Sequence, residues 1–322
     1  MRLPTIHTLV LLALTLAAGA AAAQWSPTRS VRLIVPYSTG TGTDTIARAI
    51  AQKLTAAFGQ QVTVENVAGA NGILGTEIVA RAAKDGHALG MIAANHVVTP
   101  ALYAKLPYDT IRDFTPVTIA GAVPFVLVVH PSLPVKSVQE LVAFAKARPG
   151  QLFYSSAGNG SPPHLAGELL KSMAGINIIH VPYKGLAPGL TDLIAGQVSL
   201  MFPAISAGLP QAQSGRLRAL AITSLKRSAA AAELPTMDKS GLKGYEVYSW
   251  IGIMGPAGLQ KPVIERWHAE VQRALADADI RKRFAGLGID IVGNSPEEFA
   301  RVMQADLVKF GNLVKASGAK ID

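Results

Sequence analysis

The stretch "VRLIVPYSTGTGTDTIARAIAQKLTAAFG" (31–59) decides the fold. Its opening run, "VRLIVPY" (31–37), is short, apolar and rich in β-branched residues, which predicts a strand. "DTIARAIAQKLTAAFG" (44–59) predicts a helix that ends at Gly59. Between the two lie Gly40 and Gly42, with Ser38, Thr39, Thr41, Thr43 and Asp44 around them. A glycine-rich turn from strand into helix offers backbone N–H groups to something negative. Three occupants are open at this point: a dinucleotide phosphate, a substrate being cut, or a small carboxylate that is held unchanged.

The alternation continues outward. "VTVEN" (62–66) reads as a strand, "TEIVARAAKDG" (76–86) as a helix and "ALGMIAA" (88–94) as a third strand. This β-α-β-α-β rhythm predicts a parallel sheet covered by helices. It breaks at "FTPVTIAGAVPFVLVVHP" (114–131), a long extended segment that suits a chain crossing between sheets. The alternation restarts with a helix at 136–150, capped by Ser137 with Glu140, then a strand at 152–156, a helix at 163–175 and a strand at 176–183. "GYEVYSWIGIMGP" (244–256) resembles the first crossing, and helices at 261–277 and 295–318 close the chain. The expected fold class is α/β, as two domains joined by two crossing strands with a ligand cleft between them. A leader of residues 1–23 would precede a first domain of 24–122 with 248–322 and a second of 123–247.

Composition narrows the chemistry. Arg2, a short apolar core and Ala21-Ala22-Ala23 predict a secretory signal cleaved after Ala23, so the mature chain is expected in the periplasm or secreted. No later window is apolar enough for a membrane span. The chain has 322 residues and no cysteine, which excludes disulfides, zinc–thiolate sites, thiol nucleophiles and a lipid-modified cysteine. The net charge of +9 includes Arg2, and the basic residues are spread singly, so no nucleic-acid partner is expected. The seven histidines are isolated, without metal-ligand spacing, so no metal is expected.

Two enzymatic readings weaken on inspection. A dinucleotide fingerprint needs a small residue where Thr45 stands, and Asp44 would repel pyrophosphate. "AISAG" (204–208) approaches a nucleophile elbow but has Ala204 in the first glycine position. A serine hydrolase using Ser206, with His130, His164 or His180 as base, stays as the alternative from another class. An unliganded interaction module is the third. A second loop, "YSSAGNGSPPHLAGELL" (154–170), again leads a strand into a helix through Gly158 and Gly160. If the two loops face each other, their helix dipoles and N–H donors surround one small space suited to a compact anion.

The chain also resembles the Bug family, the extracytoplasmic solute receptors of tripartite tricarboxylate transporters. The resemblance is carried in order by "GTGTDTIARAIAQKL", "GQQVTVENVAGANGILGTEIVARAAKDGHAL", "ALYAKLPYDTIRDFTPVT", "YSSAGNGSPPHLAGELLKSMAGINIIHVPYKG" and "LPTMDKSGLKGYEVYSWIGIMGPAG". It implies a monomeric periplasmic binding protein, with no catalysis and no cofactor, whose cleft closes on a small carboxylate. It also implies presentation of that ligand to membrane transporter subunits or to a sensor protein. By position, the resemblance assigns the ligand to the loop of Tyr37, Ser38, Thr39, Gly40, Thr41, Gly42, Thr43 and Asp44. It assigns a second loop of Ser156, Ala157, Gly158, Gly160 and Ser161, leading to His164, and the turn Tyr183, Lys184 and Gly185. Asn95 and Thr99 are expected on the floor.

Two departures from the family pattern bear on the ligand. The first loop reads "PYSTGTG" rather than Pro-Phe-x-x-Gly-Gly, so Thr41 adds a hydroxyl and narrows the loop. Pro203 stands where an aspartate is frequent, removing an acceptor for a ligand amine. Both favour a simple organic acid over an amino acid.

Overall fold

The computed structural model describes residues 25–319; the expected signal segment lies outside them. Along the chain come β1 (Val31–Val35), α1 (Gly42–Phe58), β2 (Val62–Asn66), α2 (Ile73–Ala80), β3 (Ala88–Ala93) and α3 (Asn95–Leu102). β4 (Phe114–Pro124) runs almost directly into β5 (Val126–Val129). Then follow α4 (Val138–Ala147), β6 (Phe153–Ser156), α5 (Pro162–Ala174), β7 (Ile179–Pro182), α6 (Leu186–Ile194), β8 (Leu200–Met201), α7 (Ile205–Gln213) and β9 (Arg218–Ile222). β10 (Tyr248–Pro256), α8 (Lys261–Ala276), α9 (Ala278–Gly286), β11 (Asp290–Ile291) and α10 (Pro296–Ser317) complete the chain.

The strands form two sheets, in the orders β11-β4-β10-β3-β1-β2 and β7-β6-β8-β5-β9. β1 pairs parallel with both β2 and β3, as the alternating pattern predicts. Leu33, Ile34 and Val35 are all buried, a continuous apolar run rather than an alternation, because helices cover both faces of a parallel strand. Both crossing segments are strands, and they pair with each other antiparallel from Tyr248↔Pro124 to Pro256↔Phe114. At the second crossing, Val247 N–H still bonds the Thr223 carbonyl beside β9, while the next residue pairs with Pro124.

Chain punctuation behaves as expected at several ends. Gly59 adopts a left-handed conformation at the end of α1 (φ 64°), and Ser295 with Glu298 forms a complete capping box on α10. At α4 the box is half formed: Ser137 caps, but Glu140 turns to the Lys136 N–H instead. α3 and α7 were not legible. α3 contains Pro100 and α7 contains Pro210, and a proline inside a short segment masks helical pattern.

α10 ties the parts together. It packs on α3 and β4 beside the first sheet and on α5 beside the second. Its buried Asp306 accepts a hydrogen bond from the Trp250 indole N–H at 3.1 Å and pairs with Lys309 at 2.8 Å. The C-terminal helix therefore grips β10 close to where that strand crosses.

Candidate functional site

Parallel β-α units place every helix start at the same edge of its sheet. α1, α2 and α3 begin beyond the ends of β1, β2 and β3, and α5, α6 and α7 beyond β6, β7 and β8. Two sets of helix N-termini, each positive by its dipole, therefore gather at the carboxyl ends of the two sheets.

The first loop is held from behind by one carboxylate. Asp44 is only 2% exposed and accepts from Gly40 N–H at 2.9 Å, Asn66 Nδ2 at 2.9 Å and Arg48 Nε at 3.1 Å. Burial alone would raise its pKa; the Gly40 N–H, the Arg48 guanidinium and the Asn66 amide outweigh that, and the carboxyl titrates below its ordinary value. Thr41 caps α1, accepting from Asp44 N–H at 3.3 Å, and its hydroxyl donates to the Ser38 carbonyl at 3.0 Å. Ser38, Thr39, Gly40 and Gly42 remain exposed at the front, while Thr43 is buried.

Tyr37 links this loop to the floor. Its hydroxyl donates to Asn95 Oδ1 and accepts from Ala93 N–H at 3.0 Å. Asn95 Nδ2 then donates to the Asn71 carbonyl at 2.7 Å. Thr99 is buried and donates back to the Asn95 carbonyl at 2.7 Å, so it stiffens α3 from inside.

Asn71 belongs to a turn that the sequence reading missed. Ala70 (φ 45°) and Asn71 (φ 54°) are consecutive left-handed residues, a strained arrangement for side-chain-bearing positions. Gly72 (φ 91°) holds a backbone conformation that favours glycine, and a Cβ there would stand a tight 3.1 Å from the Tyr37 ring. The run "VAGANG" (67–72), with Asn71-Gly72 two residues after Gly69, was the available signal. Ala70 and Asn71 are exposed, and the turn meets Asn95 through Asn71 and Tyr37 through Gly72, so it lies beside the first loop.

The second loop has its own support. Gly158 N–H donates to Ser156 Oγ at 3.1 Å, and Ser156 Oγ lies 2.6 Å from His180 Nε2. Gly160 N–H donates to His164 Nδ1 at 3.1 Å, which leaves that nitrogen unprotonated. The two imidazoles stack with centroids 4.0 Å apart, and Tyr154 stacks on His180 at 4.9 Å. Burial lowers the pKa of His164 to about 4, with Glu168 opposing and Lys171 assisting. Burial, His164 and Lys171 lower that of His180 to about 3. Both rings are neutral at pH 7, as the acceptor role of His164 Nδ1 toward Gly160 N–H requires.

Ser156 and His164 are buried, so these side chains stand behind the loop, whereas Ala157, Gly158 and Ser161 reach its surface. Ser161 does not cap α5 by side chain; its hydroxyl donates to the Gly158 carbonyl at 2.7 Å. Tyr183 borders the same loop: its N–H bonds the Ser156 carbonyl, and a Cβ on Gly158 would lie 3.3 Å from its carbonyl oxygen. Lys184 is exposed at the tip of that turn. Ser206 is exposed at the start of α7, whereas the serines that meet histidines are Ser156, beside His180, and Ser132, beside His130.

α3 sets the distance between the loops. Its first residue, Asn95, holds Tyr37 of the first loop; its last, Leu102, touches the second, where a Cβ on Gly160 would fall 2.3 Å from Leu102 Cδ1. Seven residues of helix separate these points by about 10 Å, room for a small extended ligand. Among the described residues, no helix is long and apolar enough to cross a membrane, and no group of three or more metal-ligating side chains occurs.

Comparison with known proteins agrees with this architecture. The family model for the "Tripartite tricarboxylate transporter family receptor" matches residues 46–319. BugT of Bordetella pertussis is 34% identical, over 92% of this chain and 91% of BugT. A Rhodopseudomonas palustris protein solved with adipate is 35% identical with a TM-score of 0.74, covering 92% of this chain and 99% of that one. MatC of the same organism, solved with bound malate, is 32% identical with a TM-score of 0.71, covering 89% and 99%. The periplasmic binding protein BugD is 34% identical with a TM-score of 0.71, covering 92% and 100%. These relatives are binding receptors rather than enzymes, and their two-domain fold is the one built here from two sheets and two crossing strands. The chain belongs to the tripartite tricarboxylate transporter receptor family, the periplasmic solute-binding receptors that include the Bug proteins.

Proposed function

We propose that this receptor captures a small organic acid, with a dicarboxylate as the best fit, between the loops 37–44 and 156–161. The two moving bodies would be residues 24–122 with 248–322 and residues 123–247. One observation carries the reading: both loops lead into helix N-termini, and their exposed or half-exposed residues, among them Ser38, Thr39, Gly42, Ala157 and Asn159, include no charged side chain. Asp44, the one carboxylate in either loop, is spent on three donors behind the first. An anion finds donors and positive dipole ends there, while an ammonium group finds no acceptor of opposite charge. The adipate and malate held by two relatives have this chemistry.

Closure on the acid would present a new surface to a membrane partner, either transporter subunits or a sensor's external domain. Export through the signal cleaved after Ala23 places the mature chain in the periplasm.

The test is a thermal-melt panel on the mature protein, unfolded and refolded to strip carried-over ligand. Saturation at a hundredfold excess over Kd adds about 2.7 kcal/mol, an easily measured shift. Dicarboxylates should raise Tm, their α-amino analogues of equal length should bind at least tenfold more weakly, and neutral sugars should do nothing. Glutamate or aspartate binding as well as the matching diacid would overturn the exclusion of amines. A panel flat for every acid would overturn the function.

A further inference from the structure

The strand orders place a second contact between the two halves on the far side of the crossing strands. In the first sheet β4 and β10 separate β3-β1-β2, which carry the first loop, from β11 at the opposite edge. In the second sheet β5 separates β8-β6-β7, which carry the second loop, from β9. Ser228 follows β9 and Asp290 lies on β11; the Ser228 hydroxyl donates to Asp290 Oδ1 at 2.8 Å. Beside this bond Gly288 packs on the N-terminus of α7, its Cβ direction meeting Ser206 N at 3.2 Å. α7 itself packs on β5 and β9. The loops and this contact therefore lie on opposite sides of the same pair of crossing strands.

A rotation about those strands that closes one side must open the other. Ser38, Thr39, Gly40 and the 70–71 turn are exposed at the front while the rear bond is made. We propose that Ser228 and Asp290 are positioning residues that set ligand affinity from behind the hinge, by holding the receptor open until ligand contacts overcome them. This rests on the proposed cleft closure.

The contact is suited to being broken. Ser228 is 1% exposed, and burial raises the Asp290 pKa against the Ser228 hydrogen bond. Separation rehydrates that carboxylate, so part of the lost hydrogen bond is recovered from water. Next to the bond lies a groove of about 270 Å³ lined by Ala229, Ala230, Arg281 and Phe284. The rear contact named here is thus a hydrogen bond and one glycine approach, with a groove beside it.

A ligand that binds only the closed form loses apparent affinity in proportion to the rarity of that form. Removing one hydrogen bond from the open form should therefore tighten binding about fivefold. The experiment uses the mature chain, whose lack of cysteine allows unique dye attachment at the exposed positions Gln52→Cys on α1 and Ser172→Cys on α5. Distances are read without ligand and with the acid that gives the largest melt shift, and Kd is measured by calorimetry.

Ser228→Ala and Asp290→Ala should each move the ligand-free distances toward the ligand-bound population and lower Kd about fivefold. The double variant should go no further, and Asp290→Asn, which keeps an acceptor, should stay near wild type. Ser228 also caps the turn at 229–231, accepting from Ala230 N–H, so an effect of Ser228→Ala without Asp290→Ala overturns the proposal. Unchanged ligand-free distances with unchanged or weaker Kd overturn it as well. Failure of the receptor reading looks different: the wild-type protein itself would not shorten its distances with any acid, while the ligand-free arm would still report on the rear contact.

Discussion

Asp44→Ala is expected to lower ligand affinity at least a hundredfold and to cost about 3 kcal/mol of folding stability. The stability loss comes from three donors left facing a methyl group: Gly40 N–H, Asn66 Nδ2 and Arg48 Nε. Hydrogen bonds to a charged acceptor contribute about 1.5–3 kcal/mol each but do not add. Arg48 is half exposed and recovers water, so the sum stays near the value of one or two. The affinity loss is larger because residues 38–42 lose their anchor. Reordering five residues at about 1 kcal/mol each on binding exceeds the roughly 2.7 kcal/mol that a hundredfold loss requires. Asp44→Asn keeps an oxygen for Gly40 N–H and should fall between the two. Because the folded-state pKa is lowered, the contribution of Asp44 is complete above the unfolded value near 4 and fades as pH falls through the folded one. Calorimetric titration with urea unfolding checks both numbers; binding within threefold of wild type would refute the anchoring role.

Acidification should unfold the receptor through its buried and half-buried histidines, with stability falling by at least about 4 kcal/mol between pH 7 and pH 4. His96 is wholly buried and its pKa drops to about 4 through that burial, against a hydrogen bond to the Thr110 carbonyl. His164 drops to about 4 and His180 to about 3. The unfolded chain takes up these protons near pH 6.5, well above the folded one. Stability is therefore full above about 6.5 and declines steadily toward 4, at roughly 3 kcal/mol for a completed shift of this size. His164 and His180 stack at 4.0 Å, so they titrate as a pair, and the second proton meets the charge of the first. A proton on His164 Nδ1 would also point a donor at Gly160 N–H, so ligand binding should weaken with the same pH dependence. Urea unfolding at pH 7, 5.5 and 4.5 measures the slope, and His180→Gln should flatten it. Stability constant from pH 7 to 5 would mean these rings are not held neutral by burial.

The two βα turns were legible because glycines and hydroxyls between an apolar run and a helical pattern leave few other readings. What stood behind them was not. The resemblance assigns Asp44 to the ligand; its role as anchor depends on Asn66, twenty-two residues away at the end of β2. His164 invited reading as a ligand contact, and only the stack with His180 shows an acceptor for the loop's own backbone. The 67–72 turn went unnoticed because consecutive left-handed residues at Ala70 and Asn71 follow from tertiary support, not from propensity. Crossing strands were visible as long extended runs with prolines, but their mutual pairing joins residues more than a hundred positions apart. α3, which spaces the loops, was hidden by Pro100.

Both loops carry main-chain N–H groups at helix N-termini, and this has a consequence for how such receptors diverge. A side-chain donor vanishes with one substitution, whereas a backbone N–H survives every replacement except proline. Random drift in these loops therefore reshapes the walls and leaves the capacity to hold an anion nearly untouched. Duplicated copies of the gene can wander through new side chains at Ser38, Thr39, Ala70 or Ala157 without passing through a form that binds nothing. Selectivity is the mutable layer here, and charge recognition the inherited one.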